Sequence, residues 1–188
     1  MRFSSIEFKD LIKAWVAISI AFAILLSGLQ NLFSFVRMFI LSTLTVGIAF
    51  LLHELAHKFV AQHYGYFSEF RAFNQMLILA IIMSFFGFII AAPGAVMIAG
   101  FVDREKGGKI ALAGPLTNIA LAILFLIPLI LTGAEIARVG FMINSLLALF
   151  NLLPFGMFDG AKVRRWDKKV STLFLIFAAL LFFAQYII

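Results

Sequence analysis

The sequence predicts an all-α polytopic membrane protein with about five or six transmembrane helices, one re-entrant segment and a small membrane-associated β-element. Three observations predict it. Of 188 residues, 64% are hydrophobic and 13% charged, with a mean hydropathy of +1.10, far above the roughly 45–50% apolar share of soluble domains. Apolar runs recur at 14–29, 38–52, 76–101, 110–131, 139–153 and 170–188, many of them near the ~20 residues that cross a hydrocarbon layer. The cations fall in short clusters between these runs, as topology signals do.

The net charge of +6 is therefore read as membrane topology, and nucleic acid is not an expected partner. With no cysteine in the chain, disulfides and thiolate metal sites are excluded, and any metal must rest on His, Asp or Glu. No repeat, low-complexity tract or long polar linker interrupts the sequence, so a single membrane-embedded domain is expected over 1–188.

The first run follows Arg2, Lys9 and Lys13. It is long for the apolar region of a secretory leader and lacks a small-residue cleavage site, so it is read as a membrane helix. The second run begins near Met38 and continues into His53-Glu54-Leu55-Ala56-His57, the HExxH pattern. On a helix, residues four apart lie ~40° apart and ~6 Å along the axis, so both imidazoles reach one ion. Glu54 stands beside them, placed to act on water at that ion. Ionisable groups at membrane depth cost about 2.5 kcal/mol or more each on insertion scales, so three within one helical turn call for a partner such as a metal.

A catalytic zinc site uses three protein ligands, and two residues are candidates for the third. His63 has the spacing of the extended HExxHxxGxxH pattern, but Val60 stands where that pattern has the glycine that turns the chain back. A continuing helix would carry His63 away from the metal. The other candidate is Asp159, in Asn151-Leu-Leu-Pro154-Phe-Gly156-Met-Phe-Asp159-Gly160, where proline and glycine loosen the helix just before the carboxylate.

Topology favours Asp159. The clusters Arg2/Lys9/Lys13, Lys58/Arg71, Arg104/Lys106/Lys109 and Lys162/Arg164/Arg165/Lys168/Lys169 all fall on the cytoplasmic side by the positive-inside rule. The HExxH motif and Asp159 then share the inner end of the membrane, while the turn from Thr132 to Arg138 lies outside. Both flanks of 76–101 become cytoplasmic, so this run must dip in and return. Gly87 and Pro93-Gly94 offer turns, and 93–101 is a candidate strand paired with 66–73.

Taken together, these residues closely resemble the site-2 protease family of intramembrane metalloproteases. His53-Glu-Leu-Ala-His57 and Asn151-x-x-Pro154-x-x-x-x-Asp159-Gly160 match its two metal-site motifs, and Ala113-Gly114-Pro115-Leu-Thr-Asn118 matches its Gly-Pro-x-x-Asn helix start. The resemblance covers about residues 40–165. It implies one zinc ion per chain, held by His53, His57 and Asp159 with Glu54 activating water, near the cytoplasmic face of the cell membrane. It also implies a transmembrane protein as substrate, in regulated intramembrane proteolysis. The helices at about 14–30 and 170–188 lie outside the shared core, and no segment has room for the PDZ or CBS modules of many relatives. Asn118 and Asn151 are candidates to stabilise an oxyanion, each with a structural alternative: Asn118 as a buried bond between helices, Asn151 as a holder of the Pro154 loop. Pro93, Gly94, Ala95 and Val96 are candidates to receive an unwound substrate by strand addition. Rival readings are a membrane metal-ion transporter and a catalytically inactive membrane-helix-binding protein. The transporter reading suffers from too few acidic and histidine residues at membrane depth, and the inactive reading from an intact Glu54.

Overall fold

Ser4 starts the first helix by accepting the N–H of Glu7 on its hydroxyl at 3.1 Å. Helix α1 runs from Ser5 to Ser27 and stops at Gly28, whose φ of 55° is left-handed, a conformation glycine adopts without strain. The computed structural model describes residues 2–28, 30–89 and 92–187. It forms two compact units, one of Met1–Leu51 with Ser68–Met97 and one of Leu52–Phe67 with Ile98–Ile188.

In the first unit, Asn31 caps α2 (Leu32–Ser42) by accepting the Ser34 N–H at 2.8 Å. A π-helical turn at Thr43–Gly47 joins α2 to α3 (Ile48–His63), giving one helical rod from Leu32 to His63. A wide turn leaves carbonyls off the regular ladder, and here the indole N–H of Trp15 on α1 donates to the Thr43 carbonyl at 3.2 Å. Any Cβ at Gly47 would collide with that indole and with the Ser19 hydroxyl. Strands β1 (Ser68–Ala72) and β2 (Gly94–Ile98) flank α4 (Asn74–Ser84) in sequence and pair with each other.

The pairing is antiparallel, since Phe73 N–H bonds the Pro93 carbonyl at 3.0 Å and Ala99 N–H bonds the Phe67 carbonyl at 2.9 Å. This register turns the odd-numbered residues of both strands toward the ladder. On the outer edge of β1, α1 supplies carboxylates: Glu7, fully buried, accepts from Phe70 N–H at 2.9 Å, and Asp10 accepts from Ala72 N–H at 3.3 Å. The outer edge of β2, at Gly94, Val96 and Ile98, carries no backbone hydrogen bond among the described residues.

The second unit contains α5 (Arg104–Thr132), α6 (Glu135–Asn151), α7 (Asp159–Trp166) and α8 (Lys168–Ala184). Its core joins Ala111, Leu112 and Ile119 of α5 to Ala148, Leu152, Val163 and Ala178. Small residues set the spacing: the Phe125 ring fills the place a Cβ would take at Gly140, and Trp166 does the same at Gly108. Such close backbone approach is how helices pack where lipid removes the usual hydrophobic drive.

Among the described residues, three helices are long and apolar enough to cross a membrane: Ser5–Ser27, Leu32–His63 and Arg104–Thr132. The polarity is consistent with a membrane location: His53, Glu54, His57, Asn118 and Asn144 are buried while Leu124, Ile127, Ile130 and Leu131 of α5 face outward. The segment 76–101 is not a long helix. Helix α4 has 11 residues, about 16 Å against the ~30 Å hydrocarbon thickness. Gly87 then turns at φ 86°, and β2 comes back beside β1. Residues 90 and 91 of that expected excursion lie outside the described residues. The pairing expected for 66–73 and 93–101 is present, narrowed to five residues a side.

Candidate metal centre

His53 and His57 stand one turn apart on α3, and Asp159 is the first residue of α7. The structure brings the three together: His57 Nε2 lies 3.0 Å from Asp159 Oδ2, His53 Nε2 lies 3.3 Å from the same oxygen, and the two Nε2 atoms are 3.0 Å apart. Two imidazoles and a carboxylate are a borderline-soft donor set suited to zinc. Four tetrahedral ligands about 2.0–2.1 Å from zinc are about 3.3 Å from one another, so this triangle fits such an ion with a few tenths of an ångström of opening. All three residues are at most 9% exposed.

Both histidines are held by their other ring nitrogen. His53 Nδ1 is 2.6 Å from Asn118 Oδ1, and His57 Nδ1 is 2.8 Å from the Ile110 carbonyl. A carbonyl only accepts, so His57 carries its proton on Nδ1 and presents a free Nε2 lone pair. Pro115 lacks the N–H that would bond the Ala111 carbonyl, so the hydrogen-bond ladder of α5 is interrupted one residue after Ile110.

The same logic fixes His53 through a longer relay. Asn144 Nδ2 donates to the Gly140 carbonyl at 2.8 Å, and its Oδ1 accepts from Asn118 Nδ2 at 3.1 Å. Asn118 must then turn its oxygen to His53, which donates from Nδ1. Both asparagines are fully buried. Anchored on a backbone carbonyl, the relay leaves one consistent orientation for every amide and ring, which is how outer partners fix a ligand's tautomer.

Gly114 makes room. A Cβ at that position would fall on the Nε2 atoms of both His53 and His57, so any other residue would fill the space the ligand atoms face. Gly160 has a comparable role at α7, where a Cβ would strike the Leu152 and Leu153 carbonyls and push Asp159 away. The remaining carboxylate oxygen, Asp159 Oδ1, pairs with Lys162 Nζ at 3.5 Å.

Glu54 follows His53 on α3 and is buried. Asn118 makes the buried bond between helices, its amide engaged with both His53 and Asn144. Asn151 donates from Nδ2 to Leu147 in its own helix at 3.0 Å. His63 is exposed, stacks edge-on with Tyr64 and stands outside the cluster, as the continuing helix requires. Pro93, Gly94, Ala95 and Val96 belong to the first unit. Sequence reasoning missed Asn144 and the role of Ile110. An asparagine seven residues before Asn151 in an apolar run was the available signal for Asn144, since such a residue needs a buried partner; nothing in the sequence marks a backbone carbonyl.

Two curated proteins of Methanocaldococcus jannaschii are similar to the chain. One, named "Putative zinc metalloprotease MJ0611", is 44% identical over 173 residues, covering 88% of this chain and 87% of that protein. The other, "Zinc metalloprotease MJ0392", is 28% identical over 145 residues, 74% of this chain but only 37% of its own length. No family model and no solved structure matches.

Proposed function

The chain belongs to the zinc metalloprotease family of its Methanocaldococcus jannaschii relative, and from that premise we propose that it is an intramembrane endopeptidase of the site-2 protease type. Its substrate is another membrane protein, cut within or near a transmembrane segment. The observation that carries this reading is the convergence of His53, His57 and Asp159 in a chain whose long helices turn apolar side chains outward. A hydrolytic site buried under a lipid-facing surface suits a substrate that also lies in lipid.

One zinc ion per chain, held by His53, His57 and Asp159, would supply a Lewis acid that polarises a carbonyl and acidifies water. Glu54 takes the proton of the attacking water and delivers it to the leaving amine, the work of a general base that becomes a general acid. Asn118 and Asn144 hold His53, and the Ile110 carbonyl holds His57, so that neither ring turns during the reaction. Asn118 and Asn151, whose amides each donate one bond within the protein, are the candidate oxyanion donors.

A helical substrate keeps its carbonyls in its own hydrogen bonds and must unwind before attack. The unpaired edge of β2 at Gly94, Val96 and Ile98 offers replacement backbone partners, a strand-addition mode. The site lies near the inner face of the cell membrane, with the N-terminus cytoplasmic and five or six spans, counting the 17-residue helices α6 and α8.

The test is a reconstituted cleavage assay on a membrane-spanning reporter, run beside zinc analysis. Wild type cleaves it, whereas Glu54→Gln binds zinc and does not. Cleavage by the variant, or a wild type that binds zinc and only conducts it across the vesicle wall, would overturn the reading.

A further inference from the structure

Four cations at the starts of α5 and α8 and in the last turn of α7 have no part in the metal chemistry. In the second unit a cavity of about 490 Å³ is lined by Arg104, Arg164, Arg165 and Lys168 together with Pro154 and Gly156 of the loop that leads into Asp159. No acidic residue lines it, and none of the four cations has an ion pair among the described residues. Of the three acids next to them in sequence, Glu105 pairs with Lys109 and the other two are engaged as helix caps. Asp103 accepts from Lys106 N–H at 2.8 Å, a bond that holds its carboxyl below the usual carboxylate range, and Asp167 accepts from Lys169 and Val170 N–H at 2.7 and 3.1 Å.

Topology alone does not produce this arrangement. The positive-inside rule asks for cations on one side of the membrane, not for their convergence on one cavity. Arg164 and Arg165 sit in the last turn of α7, where a helix dipole favours them. Arg104 and Lys168 are the first residues of α5 and α8, where the dipole is positive and repels them. A concave site that gathers three guanidinium groups and an ammonium, two of them at the unfavourable end of a helix, is complementary to a multivalent oxyanion.

The same loop exposes apolar side chains, with Met157 91% and Phe155 59% exposed. Apolar tips beside a ring of cations are the composition of a surface seated in the headgroup layer.

We propose that this cavity binds a phosphate-bearing group, with the headgroup of an anionic lipid as the source that Phe155 and Met157 favour. The lipid source rests on the membrane reading and is independent of proteolysis. A bound phosphate would tie the start of α5 to α7. Because α7 is eight residues long and begins with Asp159, occupancy would steady the helix that carries the carboxylate.

The experiment uses the full chain in nanodiscs of phosphatidylcholine with and without phosphatidylglycerol, and separately in detergent with inorganic phosphate at constant ionic strength. It reads bound lipid by native mass spectrometry and the thermal unfolding midpoint. Wild type is compared with a triple variant, Arg104→Gln, Arg164→Gln and Arg165→Gln, and with a control that loses Lys9, Arg138 and Lys169 in the same way. Retention of phosphatidylglycerol should fall at least about tenfold in the triple variant and little in the control. Its midpoint in pure phosphatidylcholine should match wild type, while the gain that phosphatidylglycerol gives wild type should disappear. If inorganic phosphate alone reproduces that gain with the same dependence on the arginines, the site stands and its ligand is a soluble phosphate. Equal losses in the triple variant and the control, or no response of wild type to either anion, would overturn the proposal. Single Arg164→Gln and Arg165→Gln variants carry the same comparison if the triple variant does not fold.

Discussion

Asn144 reaches the candidate metal centre only through Asn118, yet the direction of its hydrogen bonds decides which nitrogen of His53 is free. Replacing it with Leu removes the acceptor that orients Asn118, whose amide can then flip and offer His53 a donor. Zinc affinity should fall about 10- to 100-fold, the usual effect of losing an outer partner. A chelator competition measures this, and ¹⁵N shifts of labelled histidine should show His53 losing its single tautomer, which a mere packing defect would not cause. Gly114→Ala is expected to be harsher, since the added methyl group lands on both Nε2 atoms. Zinc should be lost from a protein that still inserts and keeps its helical circular dichroism; full zinc occupancy in that variant would contradict the role given to Gly114.

Elements explain how residues so far apart in sequence meet. The Ile110 carbonyl of α5 holds His57, and Gly160 lets α7 start against the Leu152 and Leu153 carbonyls that follow α6. The β2 edge gives the sharpest test at this scale. Val96 and Ile98 direct their N–H groups away from β1, so proline at either position removes an outward donor and spares the ladder. Val96→Pro should slow cleavage of a membrane reporter with unchanged zinc content, whereas unaltered turnover would rule out strand addition on this edge. Much of this level was legible in advance. HExxH on an apolar helix, a carboxylate after a proline-glycine break, and the pairing of 93–101 with 66–73 could each be read from residue type and spacing. The π turn at Thr43–Gly47 and the sealing of β1 by Glu7 and Asp10 could not, because they depend on α1 lying beside those segments. The helix through the HExxH motif also starts earlier than its apolar run, at the Asn31 cap.

At the scale of the whole molecule, the proposed topology puts the four cationic clusters on one side of the membrane. The chain contains no cysteine, so single cysteines introduced at Lys168 and at Thr132 can be labelled without background. A membrane-impermeant maleimide should reach the first only from the cytoplasmic side and the second only from the other. Reaction of both from one side would refute the orientation and the count of spans together. The ligand set itself is tested most directly by the zinc X-ray absorption spectrum of the purified protein, compared with that of Asp159→Ala. The predicted spectrum is four-coordinate, with two imidazoles and oxygen donors at about 2.0–2.1 Å, and it changes when the carboxylate is removed. A wild type without zinc, or a spectrum identical in the Asp159→Ala variant, would contradict a single ion shared by His53, His57 and Asp159.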